Sequence, residues 1–417
     1  MMTLGAVADD LTGAIDLATN LANRGFRTIV TIGVPTSEPR PDTDAIVAAL
    51  KTRAIDPDDA VADSLHAVDA LKRLGCRRFY VKYCSTFDST ARGNIGPISE
   101  AVCARTGAGS AVVVPAFPAA GRTVYQGRLF VHDKLLHESH MKDHPLNPMR
   151  ESDVISLLQE QSSRPVGAVR HATVHAGPAR IRAALDAETA SGACLVVVDA
   201  VTNDDLESIA RATDNDVVVT GGSGLATGLI GPHIDDPRNV RSSGQAGPPR
   251  AIIIGSVSET SRTQTEHART HLPWRELDVT AVLNQPERHV AAVADWAQEQ
   301  WNNEPARPVL VSSGQVHSHD PRVSGVVEQA NAALAVELAR RGARQFIIGG
   351  GETSGAVVNA LGIRQLAIGP ELAPGVAWSS GPAGPDSPVG DATYDVVLKS
   401  GNFGDPDLFT AAWDQIT

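Results

Sequence analysis

The chain has 417 residues, enough for two or three domains, and a 42 % hydrophobic fraction that can fill their cores. Lys plus Arg number 36 against 48 Asp plus Glu, and the net charge of −12 disfavours general affinity for nucleic acid. No apolar run approaches the roughly 18 residues that suggest a membrane span.

The segment MMTLGAVADDLTGA reaches two aspartates without a basic stretch, so no secretory signal is expected and a cytoplasmic location is the default. Short apolar runs alternating with helical periodicity predict an α/β fold. A strand is expected at 4–8. A helix follows, with Ala14, Leu17, Ala18 and Leu21 on one face and Gly25 just past its end. Further strands are expected at 28–32, 79–82, 111–114, 195–199 and 217–220. The run DDPRNVRSSGQAGPPR has no apolar periodicity and predicts a linker over 235–250, dividing a domain at 1–234 from one at 251–417. After it the pattern restarts, with strands at 251–254, 309–311, 346–348 and 366–368. A helix is striped by Val327, Ala330, Leu334 and Leu338, and a short one lies near 356–361. The expected architecture is two α/β domains with mainly parallel sheets and a cleft between them.

Three constellations can carry chemistry. In ADDLTGA the first strand delivers Asp9 and Asp10 to its carboxyl end, the edge where open α/β sheets bind ligands. Thr12 or Asp10 can cap the next helix. Adjacent carboxylates repel unless they have partners, such as a hydroxylated ligand, a cation or a base role. In KYCSTFDSTARGNIGP, Lys82 ends a strand and Ser85, Thr86, Asp88, Ser89, Thr90, Arg92 and Asn94 follow in a loop dense in polar groups. Lys82 and Arg92 suit a carboxylate, and Arg53 further upstream is a further candidate. In the second domain GSVS at 255–258, SSG at 312–314 and GGGETSG at 349–355 each follow a strand. KSGNFG at 399–404 adds another glycine-bracketed turn. Backbone N–H groups in such loops attract phosphate. No GxxxxGK[ST] motif is present, which excludes a P-loop. The cysteines Cys76, Cys84, Cys103 and Cys194 form no CxxC pair and are expected as idle thiols. His132, His137, His140 and His144 fall in one segment whose spacing allows a metal site without any zinc-protease motif.

These strings resemble the four-carbon acid sugar kinases over essentially the whole length. The resemblance rests on ADDLTGA, TIGVP, STFDSTARGNIGP, PAFPAAGRTVYQGRLFV, HPLNPM, GSVSETSRTQ, GGGETSGAV and LKSGNFG. It implies an N-terminal domain that binds an acid sugar and a C-terminal domain that binds ATP with Mg2+. The acceptor it implies is 3-oxo-tetronate, phosphorylated on its C4 hydroxyl; threonate or erythronate is the alternative within the family. Carried over by match, Asp9, Asp10, Arg53, Lys82, Ser85 and Thr86 belong to the acid-sugar site, with Arg53 or Lys82 expected on the substrate carboxylate and Asp10, or else Asp9, as catalytic base. Ser258, Gly350, Gly351, Glu352, Thr353 and Gly401 belong to the ATP site. Where the family often reads GSCS this chain has Val257, and His132 stands where a small residue is common. The Mg2+ ligands and the oligomeric state are not fixed by the sequence; a homodimer is one arrangement it allows. Two other classes stay open: a non-catalytic acid-sugar sensor, and a metal-dependent aldolase or hydrolase using the histidine segment.

Overall fold

Eight short, buried strands give the first half of the chain its frame. The computed structural model describes residues 4–36, 42–143, 147–235, 249–313 and 321–416, and the chain separates into two units, Met1–Asn239 and Val240–Thr417. Residues 236–248 of the expected linker, 144–146 of HPLNPM and Gly314 of the SSG loop lie outside the described residues.

The strands of the first unit are β1 (Leu4–Ala8), β2 (Thr28–Ile32), β3 (Ala45–Ala49), β4 (Arg78–Lys82), β5 (Ala111–Val114), β6 (Arg122–Tyr125), β7 (Arg128–Val131), β8 (Lys134–Leu135), β9 (Val166–Val169), β10 (Leu195–Val198) and β11 (Val218–Gly221). Eight of them pair in the order β2-β3-β1-β4-β11-β5-β10-β9, every neighbour parallel. Parallel strands buried on both faces read as continuous apolar runs, as LGAVA, TIVTI and AVVV do. The helices are α1 (Leu11–Asn23), α2 (Pro57–Arg73), α3 (Ile95–Thr106), α4 (Val154–Gln161), α5 (His171–His175), α6 (Pro178–Ala190) and α7 (Asn203–Ala212). The strand order turns at β1, which lies between β3 and β4. A switch point of this kind opens a crevice at the carboxyl edge.

Three sequence expectations change here. First, β3 was not foreseen as a strand. It pairs with β1 and β2 along its whole length and brings the chain to Thr52 and Arg53 at the carboxyl edge. Second, α1 is not one-sided. Ala14, Leu17, Ala18 and Leu21 are buried as expected, but so are Leu11, Ile15, Thr12, Asp16, Thr19 and Asn20. The helix packs between the sheet and the turn Ser223–Gly228, so its polar side chains need internal partners. Thr19 Oγ1 donates to the Ile15 carbonyl at 2.8 Å, and Asn20 Nδ2 to that of Asp16 at 2.9 Å. Gly25, with φ 84°, ends the helix as expected. Third, β6, β7 and β8 form a small antiparallel sheet. The Asp199 carboxylate pins its first hairpin by accepting from the Gln126 and Gly127 amides at 2.7 and 2.8 Å.

The second unit contains β12 (Arg250–Ile254), β13 (Trp274–Leu277), β14 (Val309–Ser313), β15 (Gln345–Gly349), β16 (Gln365–Ala373), β17 (Val376–Pro382) and β18 (Thr393–Lys399). Its helices are α8 (Glu259–Arg269), α9 (Val279–Asn284), α10 (Pro286–Asn303), α11 (Pro321–Arg340), α12 (Gly351–Ala360) and α13 (Leu408–Ala411). The strand order is β13-β14-β12-β15-β18-β17-β16. The first five are mutually parallel, while β17 runs antiparallel to both neighbours. Helix α12 corrects the expected boundary: GGGETSG is not a loop leading to a helix near 356–361, because the helix begins at Gly351. Gly349 ends β15, and Gly350, at φ 118° in a region that L side chains avoid, makes the whole turn into the helix. The orphan N–H groups at the start of the helix are therefore those of Gly351, Glu352 and Thr353.

Candidate active site

At the end of β1 the chain turns through Asp9 and Asp10 into α1. Backbone hydrogen bonds fix Asp9 between β4 and the segment after β3: its N–H donates to the Lys82 carbonyl at 3.2 Å, and its carbonyl accepts from Thr52 at 3.0 Å. Asp10 is the N-cap of α1, and its side chain accepts from the Gly13 amide. Arg53 joins the two carboxylates. Its Nε and Nη2 donate to Asp9 at 2.7 and 2.9 Å, a bidentate pair, and its Nη1 meets Asp10 Oδ2 at 2.6 Å. Asp88 from the polar loop lies 3.9 Å from the same Nη1. The side chains of Arg53, Asp9 and Asp10 are 23, 11 and 28 % exposed, so the cluster is sheltered yet open to a small ligand. Lys82 is buried, and its Nζ donates to the Tyr83 carbonyl at 2.9 Å.

Gly13 explains the last position of DDLTG. A Cβ there would stand 2.6 Å from Asp10 Oδ1 and 3.0 Å from Lys82 Nζ, so the missing side chain is the room these two charges occupy. Burial works against ionisation of Asp10. The charges of Arg53 and Lys82, with the Gly13 amide and Thr12 hydroxyl, outweigh it and hold this carboxyl below its ordinary range. Beneath it, burial pushes the Asp16 carboxyl up, against the pull of Lys82 and the Ser223 hydroxyl that donates to it. The carboxyls of the α1 N-cap and of Asp16 are thus driven in opposite directions. A small cavity adjoins this cluster, lined by Asp9, Thr52, Lys82 and Asn94 among others.

Asp9, Asp10, Arg53 and Lys82 therefore meet, as the sequence suggested. The Nε and Nη2 of Arg53 are engaged by the Asp9 carboxylate and its Nη1 by that of Asp10. Ser85 and Thr86 follow β4 in the same loop. Thr86 is buried against Cys84, its hydroxyl 3.0 Å from the thiol, and Ser85 packs on Gly222. Cys84 is half-buried within electrostatic range of Arg53 and Arg122, in contrast to the three fully buried cysteines. Asp16, Ser223 and Arg122 were not singled out. The available signals were a lone acid inside the apolar run AIDLA, and GGSG immediately after the buried strand β11.

In the second unit the ends of β12, β15 and β18 bring three glycine-bearing turns together. Gly255 and Ser256 donate their amides to the Gly349 carbonyl at 2.9 and 3.1 Å, and the Gly350 amide donates to that of Lys399 at 2.9 Å. A Cβ on Gly255 would stand 2.1 Å from Thr353 Oγ1, and one on Gly401 would stand 2.8 and 2.9 Å from the hydroxyls of Ser256 and Ser258. Ser258 caps α8 and donates to the Gly401 carbonyl at 2.7 Å. Two helix N-termini, of α8 and α12, thus lie at one cluster of glycine-bearing turns with the electrostatics of an anion site. Gly350, Gly351, Thr353, Ser258 and Gly401 all belong to this cluster. The Glu352 residue is exposed at the first turn of α12, so its backbone N–H rather than its carboxylate suits a phosphate. Sequence reasoning missed Asn331, a fully buried α11 residue whose Nδ2 donates to Ser313 at 2.9 Å. Val257 is 56 % exposed, so the valine in place of a thiol gives up no core contact.

Among the described residues no group of three His, Cys, Asp or Glu side chains is placed to hold a metal ion. His137 pairs its Nδ1 with Ser152 Oγ at 2.7 Å, and His132 is exposed and packed against Gly121. No helix among them is long and apolar enough to cross a membrane.

Comparison with known proteins matches these two units to two domain families. Residues 4–229 match a sugar-binding N-terminal domain, and residues 251–409 a nucleotide-binding C-terminal domain. The 3-oxo-tetronate kinase of Pectobacterium atrosepticum is 38 % identical over 427 residues, covering 99 % of each chain. That of Burkholderia multivorans is 40 % identical over 431 residues, covering 98 % of this chain and 96 % of the relative. Among solved structures, a Salmonella typhimurium LT2 protein provisionally described as a tRNA synthase superposes with a TM-score of 0.88 at 36 % identity, covering 100 % of both chains. A Haemophilus influenzae protein gives 0.78 at 35 % identity, over 99 % of this chain and 100 % of the other. With both domains matched and kinases similar to it from end to end, the chain belongs to the four-carbon acid sugar kinase family.

Proposed function

We propose that this chain transfers the γ-phosphate of ATP to the C4 hydroxyl of 3-oxo-tetronate, giving the 4-phosphate and ADP. The observation that carries the reading is the match to 3-oxo-tetronate kinases at 38–40 % identity through both domains. The Asp9–Asp10–Arg53 cluster and the glycine-bearing turns at the starts of α8 and α12 supply compatible chemistry in each half. Phosphoryl transfer proceeds through a loose transition state, so it depends on positioning and charge neutralisation more than on a strong base. A carboxylate held ionised is suited to that task. Asp10 orients the attacking hydroxyl and accepts its proton, Asp9 holds a neighbouring hydroxyl, and Arg53 fixes the spacing of the two acids. Lys82, with the Ser85–Thr86 loop, faces the anionic end of the acceptor. The amides of Gly351, Glu352 and Thr353, with Ser258 and Gly401, hold the nucleotide's phosphates.

Mg2+ takes oxygen ligands and is usually shared between one or two carboxylates and the substrate phosphates. The hydroxyls of Ser256 and Ser258 and the carboxylate of Glu352 fit such a donor set, and the ion would neutralise charge on the β- and γ-phosphates. ATP as donor fits a cytoplasmic enzyme, which cell fractionation checks.

Coupled ADP-release assays with 3-oxo-tetronate, threonate and erythronate test the assignment. Turnover of the oxo-acid with much weaker turnover of the other two is expected. Strong activity on threonate or erythronate and none on the oxo-acid overturns the substrate, and binding of acids with no ADP formation overturns the kinase reading.

A further inference from the structure

Lys399 ends β18 with its side chain fully buried. Its ammonium donates to Ser261 Oγ at 3.2 Å and to the carbonyls of Ser400 and Gly401 at 3.0 and 2.9 Å, and it lies 5.9 Å from the centre of the Phe409 ring. These partners are neutral. A buried ammonium without a counter-ion is costly, and burial alone pushes this amine down to about 7. A feature that burdens the fold in this way calls for a reason.

Gly401 supplies one. Its carbonyl accepts from three donors: Lys399 Nζ at 2.9 Å, Ser258 Oγ at 2.7 Å and Ser261 Oγ at 3.0 Å. A trans peptide sets its N–H opposite its C=O. With the Gly401 carbonyl drawn inward, the N–H of Asn402 is turned away from the buried knot. The knot also adjoins the start of α12, because the Lys399 carbonyl accepts from the Gly350 amide at 2.9 Å. One residue therefore sets the orientation of two turns with its main chain and side chain, and places a positive charge beneath both.

We infer that Lys399 is a positioning residue of the nucleotide site: its buried ammonium holds the Gly401 carbonyl inward, presents the Asn402 amide to bound phosphate, and supplies the counter-charge that the phosphate completes. The inference rests on the nucleotide reading of this unit. A neutral, similarly shaped side chain removes the charge and one donor while Ser258 and Ser261 still satisfy the carbonyl, so the unit folds as well or better but binds phosphate less well.

The test compares wild type with Lys399→Met by calorimetric titration with MgADP, by thermal unfolding, and by separate KM values for ATP and acceptor. A charge-assisted hydrogen bond of this kind predicts about 10–100-fold weaker MgADP binding, a raised ATP KM, an unchanged acceptor KM and an undiminished melting temperature. Equal MgADP affinity overturns the inference. So does weakening accompanied by a lower melting temperature and a raised acceptor KM, which is the signature of a merely structural lysine. Ser261→Ala, which removes one donor from Gly401 and one acceptor from Lys399, is the milder variant should Lys399→Met not fold. A severalfold loss of MgADP affinity is expected there, and wild-type affinity overturns the inference. If wild type itself does not bind MgADP, the nucleotide reading fails and the role of Lys399 falls with it; if wild type binds and the variants bind equally, only the role of Lys399 fails.

Discussion

Replacing Arg53 with methionine probes the acid cluster most directly. The change keeps the aliphatic stem and removes two hydrogen bonds to Asp9, at 2.7 and 2.9 Å, and the ion pair to Asp10 at 2.6 Å. It leaves two adjacent carboxylates without their shared cation. Breaking a fully buried ion pair costs about 3–5 kcal/mol. With side chains 11–28 % exposed, solvent screening reduces this to about 2–3 kcal/mol. In a unit of this size that lowers its melting temperature by roughly 4–12 °C. The pH dependence has a definite sign. In the wild type the Asp10 carboxyl lies below its ordinary value of 3.8, so its stabilising contribution is complete above that value and is lost as pH falls through the folded one. Without Arg53, burial, its strongest influence, is opposed mainly by Lys82, and the carboxyl titrates at higher pH. Acid unfolding and the acid limb of kcat/KM should therefore both move upward. Misplacement of the two acids should also lower kcat/KM on the order of a hundredfold. Thermal unfolding with a coupled ADP-release assay across the acid range measures all three quantities. Arg53→Met with the wild-type melting temperature and an unmoved acid limb refutes the view that Arg53 organises the acids.

Two glycines give further expectations. Gly13→Ala places a methyl 2.6 Å from Asp10 Oδ1 and 3.0 Å from Lys82 Nζ, so either charge must move; a loss of about 1–3 kcal/mol is expected with a tenfold or greater fall in kcat/KM, and full activity at normal stability would refute the packing. Gly255→Ala drives a methyl to 2.1 Å from Thr353 Oγ1. It should raise the ATP KM while leaving the acceptor KM unchanged, and steady-state kinetics with each substrate varied separates these outcomes.

What could be read in advance divides along a physical line. The strands at 4–8, 28–32 and 111–114 were legible because a parallel strand buried on both faces is an unbroken apolar run between turn signals. Of the β16–β17 pair only 366–368 was expected, since GPELA and WSSGP carry glycine, proline and polar residues and owe their pairing to each other. Asp9 and Asp10 were legible because the strand and the site are consecutive in the chain. Asp16 and Ser223 lie 207 residues apart and meet only through the packing of α1 on the turn after β11. The start of α12 was obscured by composition: GGGETSG reads as a loop, yet tertiary contacts hold Gly351–Gly355 helical and leave Gly350 alone to absorb the turn.

The encasement of α1 bears on how selectivity can arise. This helix has Ala14, Ile15, Leu17, Ala18 and Leu21 wholly out of solvent and is anchored midway through Asp16 and Ser223. Close-packed interiors switch between discrete arrangements rather than yield gradually. The Asp10 carboxylate that crowns the helix therefore sits on an unyielding post. On the proposed reading of Asp10, an acceptor whose hydroxyl lies an ångström away must distort itself to be used.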